Sequence, residues 1–175
     1  MKIITCLGNP GKKYEKNRHN IGFLAADYLK NRYNFPAFRE KFKALYSTVK
    51  INNEDVTLLL PQTFMNLSGE SVTAALGFFK CSIEDLTVIH DELELEFGEV
   101  RLKKGGGHKG HNGIRSIMQL TGSSDFYRIR FGIGRPHHPA YSVADYVLAD
   151  FSQDEYSALG RYFAEIDKIL IENIL

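Results

Sequence analysis

The chain has 175 residues, 43% of them hydrophobic and 25% charged, with a formal net charge of +1, the composition of one soluble domain long enough to bury most of its apolar surface. No apolar run approaches about 18 residues, and the amino terminus MKIITCLGN lacks a signal-peptide core; membrane insertion and export are not expected, and the expected compartment is the cytoplasm. Cys6 and Cys81 stand far apart among apolar neighbours, as reduced thiols do, which argues against a disulfide or a cysteine metal site.

In chain order, Lys2 to Leu7 reads as a short apolar strand ending in the turn Gly8-Asn9-Pro10-Gly11, and Ile21, Leu24, Ala25, Tyr28 and Leu29 follow at helical spacing. Leu45 to Ile51 and Asp55 to Leu60 flank Asn52-Asn53 as a hairpin. Ser68 is expected to cap a helix whose Val72, Leu76 and Phe79 share a face. Leu86 to His90 is a buried strand. Glu99 to Lys103 and Tyr127 to Ile133 alternate as strands around a helix from about Gly113 to Leu120. Ser152-x-x-Glu155 is a capping box opening a last helix with Leu159, Phe163, Ile166 and Leu170 as its stripe. Strands alternating with helices, plus one hairpin, predict an α/β chain: one three-layer domain over residues 1–175, with a mixed central sheet flanked by helices.

In such sheets ligands collect outside the carboxyl ends of strands. Asn9, Asn66 and Asp91 each follow a predicted strand, His19 closes the long first loop before a helix, and Asn112 stands before another. Each also has an ordinary explanation. Asn20 and Asn112 are placed as helix caps, Asn9 precedes Pro10 as turn asparagines do, Asp91 can cap a turn, and His19 can be a solvated loop residue.

The stretch GGGHKGHNG, Gly105 to Gly113, contains no side chain suited to a core and reads as a site. Gly105-x-Gly107-x-x-Gly110 matches a dinucleotide fingerprint by spacing only: it lies late in the chain, the nearest acidic candidate, Asp125, is too close, and no GK[ST] is present. His108, His111, His137 and His138 lie on glycine-rich and proline-rich loops without a nearby cysteine, so no metal or other cofactor is expected.

The near-neutral total hides a segregation. Glu84 to Glu99 carries seven acidic residues and no Lys or Arg, whereas Val100 to His138 carries eight basic residues and one acidic. Arg101 and Lys103, and Arg128 and Arg130, alternate with apolar residues and are expected on the strand face away from the core, as a solvated surface or a grip on an anionic ligand such as nucleic acid.

These residues fall into ordered motifs: LGNPG at Leu7 to Gly11, Tyr14, RHNIG at Arg18 to Gly22, PQTFMNLSG at Pro61 to Gly69, HDELEL at His90 to Leu95, GGGHKGHNG, and RIRFGIGRP at Arg128 to Pro136. Together they resemble the bacterial type of peptidyl-tRNA hydrolase over nearly the whole chain. Cys6, Asn17, Glu94 and Lys109 depart from that family's usual glycine, threonine, aspartate and glycine. The resemblance implies a monomeric enzyme that hydrolyses the ester joining an N-blocked peptide to the 3′-terminal ribose of tRNA. It implies His19 as general base oriented by Asp91, Asn66 and Asn112 holding the peptide backbone and scissile carbonyl, Asn112 also positioning the water, and Asn9 sensing the blocked amine. It further implies Tyr14, Phe64 and Met65 lining the pocket for the terminal adenosine and peptide, and Lys103 and Arg130 clamping tRNA phosphate with Arg101, Lys104 and Arg128 in support. No GxSxG elbow or Cys-His signature points to a covalent intermediate. The competing readings are a non-catalytic RNA-binding protein on the same scaffold and a metal-dependent hydrolase.

Overall fold

The structure, a computed structural model, describes all residues 1–175. In chain order its elements are β1 (Lys2–Cys6), α1 (Ile21–Arg32), β2 (Arg39–Lys41), β3 (Ala44–Ile51), β4 (Glu54–Pro61), α2 (Ser68–Phe79), β5 (Leu86–Glu92), β6 (Val100–Lys104), α3 (Asn112–Thr121), β7 (Tyr127–Gly132), α4 (Val143–Val147) and α5 (Gln153–Asn173). The strands form one seven-stranded mixed sheet in the order β2-β3-β4-β1-β5-β7-β6. β1 runs parallel to β4 and β5, and β5 parallel to β7. β2, β3 and β4 are antiparallel, as are β6 and β7.

Both sheet faces are covered, which makes three layers. On one side Ile4, Cys6, Leu58, Ile89 and Phe131 meet Ala25 and Leu29 of α1 and Phe163 and Ile166 of α5. On the other, Ile3, Leu7, Leu59, Leu86 and Val88 meet Val72 and Leu76 of α2 and Ile114 and Ile117 of α3. Alternation along each central strand serves both cores, the pattern expected of parallel strands buried on two faces. No helix is long and apolar enough to cross a membrane.

The β1–α1 connection fixes the site. A Cβ at Gly22 would lie 2.3 Å from the Leu7 backbone nitrogen and 2.4 Å from its oxygen, so only glycine lets α1 start directly against the end of β1. That contact holds the residues just before α1 over the strand ends. The same loop is fastened from the other side: the Arg18 backbone N–H donates to the Ala149 oxygen, the Phe151 N–H donates to the Lys16 oxygen, and Asn17 Nδ2 donates to Asp150 Oδ1 at 2.7 Å. The Arg18 guanidinium stacks 4.2 Å over the Tyr146 ring.

Three expected caps differ. Asn20 precedes α1 but makes no cap bond; its side chain instead accepts from the Asn9 backbone N–H at 2.8 Å and donates to the Asn9 oxygen at 2.9 Å, tying the two loops together. Ser68 lies inside α2 and donates back to the Met65 oxygen at 2.7 Å. The cap of α3 is His111, whose ring accepts from the Gly113 and Ile114 N–H groups. The box of Ser152 and Glu155 does open α5.

Candidate active site

The parallel register brings the ends of β1, β4 and β5 side by side, and with them Asn9, the turn Met65–Leu67 and Asp91. Asp91 lies in the last residues of β5, 4% exposed. Its Oδ2 is 2.8 Å from His19 Nδ1 and its Oδ1 is 2.8 Å from His111 Nε2. Burial pushes the Asp91 carboxyl upward, but the two imidazoles outweigh it and hold it well below the usual carboxylate range. An ionised carboxylate accepts only, so both ring nitrogens facing it carry their protons.

The two histidines are thereby fixed differently. His111 Nδ1 accepts from Gly113 and Ile114 N–H at 3.1 and 3.3 Å, so its ring proton sits on Nε2 and is given to Asp91. His19 gives its Nδ1 proton to Asp91 and its Nε2 makes no hydrogen bond within the protein. Burial lowers the His19 pKa, while the charge and hydrogen bond of Asp91 raise it by more, leaving it above the ordinary imidazole value. A third ring, His90, donates Nδ1 to the Asp91 carbonyl at 2.7 Å and packs 5.0 Å from His111; complete burial drops its pKa to about 3.

His19, His111 and Asp91 are also the one group of three potential metal-ligating residues whose ligand atoms lie within 4.8 Å of one another. Their 2.8 Å contacts are hydrogen bonds, and a cation there would have to displace both protons.

A cavity of about 360 Å³ opens beside this group, lined among others by His19, Asp91, Asn112, Lys103, Lys109 and Arg130. Asn112, exposed at the start of α3, and Asn66, exposed after β4, make no side-chain hydrogen bonds within the protein, so both carboxamides are free. Asn9 is 7% exposed and lines a separate cleft of about 530 Å³. Its Oδ1 accepts from the Met65 N–H at 2.7 Å, which leaves only the Nδ2 donor unpaired. Tyr14 and the exposed Phe64 meet edge to face, 6.4 Å between ring centres.

Several expected binding residues have other work. Met65, expected to line the pocket, is 4% exposed and packs among Leu7, Ile114 and Ile117, so it supports the wall from behind. Arg128, expected on a free strand face, is 3% exposed: the glycine-rich loop covers that face, and Arg128 donates to the Gly107 and Gly106 oxygens at 2.7 and 2.5 Å. Exposed Arg101 pairs with Glu99 at 3.2 Å and Lys104 with Asp125 at 3.8 Å, neither on the cavity wall. Lys103 and Arg130 do line it, with Arg130 3.6 Å from Glu92. The glycine-rich stretch, read as free of packing duties, holds Gly113 and most of His111 inside the fold. His111 is the residue that sequence reasoning set aside. Its position one residue before a helix was the available signal, since a capping imidazole must accept through one nitrogen and present a proton on the other.

A family model described as peptidyl-tRNA hydrolase matches residues 3–175. This chain belongs to that family. A peptidyl-tRNA hydrolase of Bdellovibrio bacteriovorus is 43% identical over 99% of this chain and 95% of its own length, and one of Geotalea uraniireducens is 48% identical over 97% and 88%. The crystal structure of the Acinetobacter baumannii peptidyl-tRNA hydrolase superposes with a TM-score of 0.89 at 36% identity, covering 98% of this chain and 89% of that one. The mixed seven-stranded sheet with helices on both faces is therefore the fold of the family as well as of this chain.

Proposed function

We propose that the chain hydrolyses the ester between an N-blocked peptide and the 3′-terminal ribose of tRNA, with His19 as general base. The observation that carries this reading is the His19–Asp91 contact of 2.8 Å, which commits Nδ1 and leaves Nε2 as a free lone pair. Nε2 takes a proton from a water as its oxygen attacks the ester carbonyl. Asp91 stabilises the imidazolium that results and fixes the tautomer throughout. The tetrahedral intermediate then collapses, its C–O bond to the ribose breaks, and the His19 imidazolium gives the proton to the departing ribose oxygen, which leaves as the hydroxyl. The products are free peptide and free tRNA.

The unpaired carboxamides supply the rest. Asn112, lining the same cavity as His19, donates to the developing oxyanion and positions the water, and Asn66 holds the peptide main chain through its donor and acceptor. Asn9 offers only a donor, because its oxygen is spent on Met65. A donor meets the carbonyl of an N-acyl group, whereas a free ammonium brings no acceptor and more protons, so aminoacyl-tRNA is spared. Tyr14 and Phe64 give aromatic faces for the terminal adenosine, with Met65 behind them. Lys103 and Arg130 hold a tRNA phosphate. The chain works as a monomer in the cytoplasm, where its two free cysteines stay reduced.

A release assay comparing N-blocked with free aminoacyl-tRNA tests the reading, using the wild type and His19→Ala. The wild type releases tRNA from the blocked substrate alone, and His19→Ala binds tRNA without turning it over. Substantial hydrolysis by His19→Ala would remove His19 as the base.

A further inference from the structure

The basic side of the active-site cavity is unevenly paired. Of its lining cations, Arg130 faces Glu92 at 3.6 Å, Arg135 donates through Nε to Glu94 at 2.9 Å, and Arg128 is consumed by loop carbonyls. The Lys103 and Lys109 ammonium groups make no ion pair and no hydrogen bond, although the charges of Glu92 and Glu94 lie near enough to be felt by Lys103 and Lys109 respectively.

Lys109 also occupies a backbone position that costs it strain. His108 and His111 are closed by a hydrogen bond of 2.9 Å from the His111 N–H to the His108 oxygen, and the two residues between them have φ of 48° at Lys109 and 81° at Gly110. Two successive positive φ angles are the geometry of a type I′ turn, whose first position favours Asn, Asp or Gly. His108 Nδ1 accepts from the Gly110 N–H at 3.0 Å and His111 is anchored on Asp91, so the turn is held at both ends. The Lys103 stem lies against Gly106, where an added Cβ would fall 2.7 Å from Lys103 Cε. Two unpaired ammonium groups thus project from well-placed backbone into one cavity, and the Lys103 ammonium is held below its ordinary pKa by burial first and by the Lys109 charge next.

Resting on the function proposed above, we propose that Lys109 is a further tRNA-binding residue that joins Lys103 in binding one backbone phosphate of the tRNA acceptor strand, and that the strained backbone at Lys109 is kept for this charge. Groups held in sparsely populated backbone regions cluster where function requires them. Of the seven non-glycine residues with positive φ, Lys109 is the one on the cavity wall; the cation shared with Lys103 is its use, and phosphate is the ligand that two unpaired ammonium groups fit.

The test is binding of deacylated tRNA, a readout that needs no turnover, for wild type, Lys109→Gly and Lys109→Arg between about 0.05 and 0.2 M salt. Lys109→Gly is expected to raise Kd about threefold to tenfold and to make the slope of log K against log salt shallower by about 0.7 to 0.9, the loss of one phosphate contact. Lys109→Arg keeps both close to wild type, and the KM for N-blocked substrate follows Kd while kcat changes less. The Lys109→Gly chain melts no lower than wild type, because glycine relieves the turn. An unchanged salt slope, a Lys109→Arg chain as weak as Lys109→Gly, or a weaker Kd accompanied by a lower melting temperature would overturn the assignment. Normal tRNA binding without release of peptide would instead count against the hydrolase reading alone.

Discussion

His111 donates its Nε2 proton to the one carboxylate oxygen of Asp91 that His19 leaves unused, each contact 2.8 Å long. The Asp91 carboxylate is therefore held from two sides, by a histidine before α1 and a histidine before α3, and its orientation depends on both loops.

Replacing His111 by Ala removes two bonds to the first turn of α3 and strips a buried ionised oxygen of its donor. The cap is worth about 1 kcal/mol and the orphaned acceptor about 1–3 kcal/mol, so the melting temperature falls. A loss of kcat of about tenfold or more follows from the loosened Asp91. Thermal unfolding and steady-state kinetics on N-blocked substrate check both; unchanged kcat would mean that Asp91 needs only His19.

The rate has a definite pH sign. The proposed base, His19, works only when neutral, and its pKa is raised, so kcat/KM is expected to climb with pH along a limb centred above the ordinary imidazole value. Asp91→Asn removes the charge that raises it and leaves burial, which lowers it; the limb shifts to lower pH while the plateau drops by about 10³–10⁴. An unmoved limb would take Asp91 out of contact with the titrating group. Stability runs the other way. Because the folded pKa of His19 exceeds the unfolded one, its contribution is complete below about pH 6.5 and is lost as pH rises through the folded value.

Arg128 and Arg130 are two residues apart and should fail differently. Arg128→Ala leaves the Gly106 and Gly107 carbonyls without their donor and lowers the melting temperature, at a cost of about 3 kcal/mol or more for two charge-assisted bonds. Arg130→Ala leaves the fold standing, raises KM for full tRNA and flattens its salt dependence. Parallel melting curves and salt titrations separate the two; the reverse pattern would assign the phosphate grip to Arg128.

Gly22→Ala drives a methyl group against the Leu7 backbone, which cannot step aside as a side chain would. Either α1 moves outward or β1 bends, at about 1–3 kcal/mol. His19 precedes this contact by one short turn, so a displacement of about 1 Å costs about 100-fold in kcat. Kinetics and a melting curve on the same preparation test it, and near-wild-type kcat would show that the His19 loop is positioned independently of α1.

Much of this site could be read from the residues alone. Asn9, Asn66 and Asp91 declare themselves because each stands at or beyond the end of a strand, His19 because it precedes a helix, and Asn112 because it opens one. What the sequence conceals is competition for partners. Asn20, Ser68 and Asn112 have cap-forming chemistry, yet Asn20 is taken by Asn9, Ser68 by Met65, and the α3 cap by His111. Arg128 shows a second limit: alternation tells which face a residue takes, but not that a distant loop covers it. β2, Arg39–Lys41, is three exposed charged residues and carries no periodicity at all.

The loop bearing His19 is closed by Tyr146, Ala149, Asp150 and Phe151, contacts that span more than 120 residues of chain. During synthesis from the amino terminus the base is made early and its clamp late. A nascent chain released before these residues emerge carries every side chain of the proposed chemistry and still lacks the geometry for it. Contacts this distant in sequence form slowly, so recovery of hydrolytic activity on refolding should trail the appearance of secondary structure.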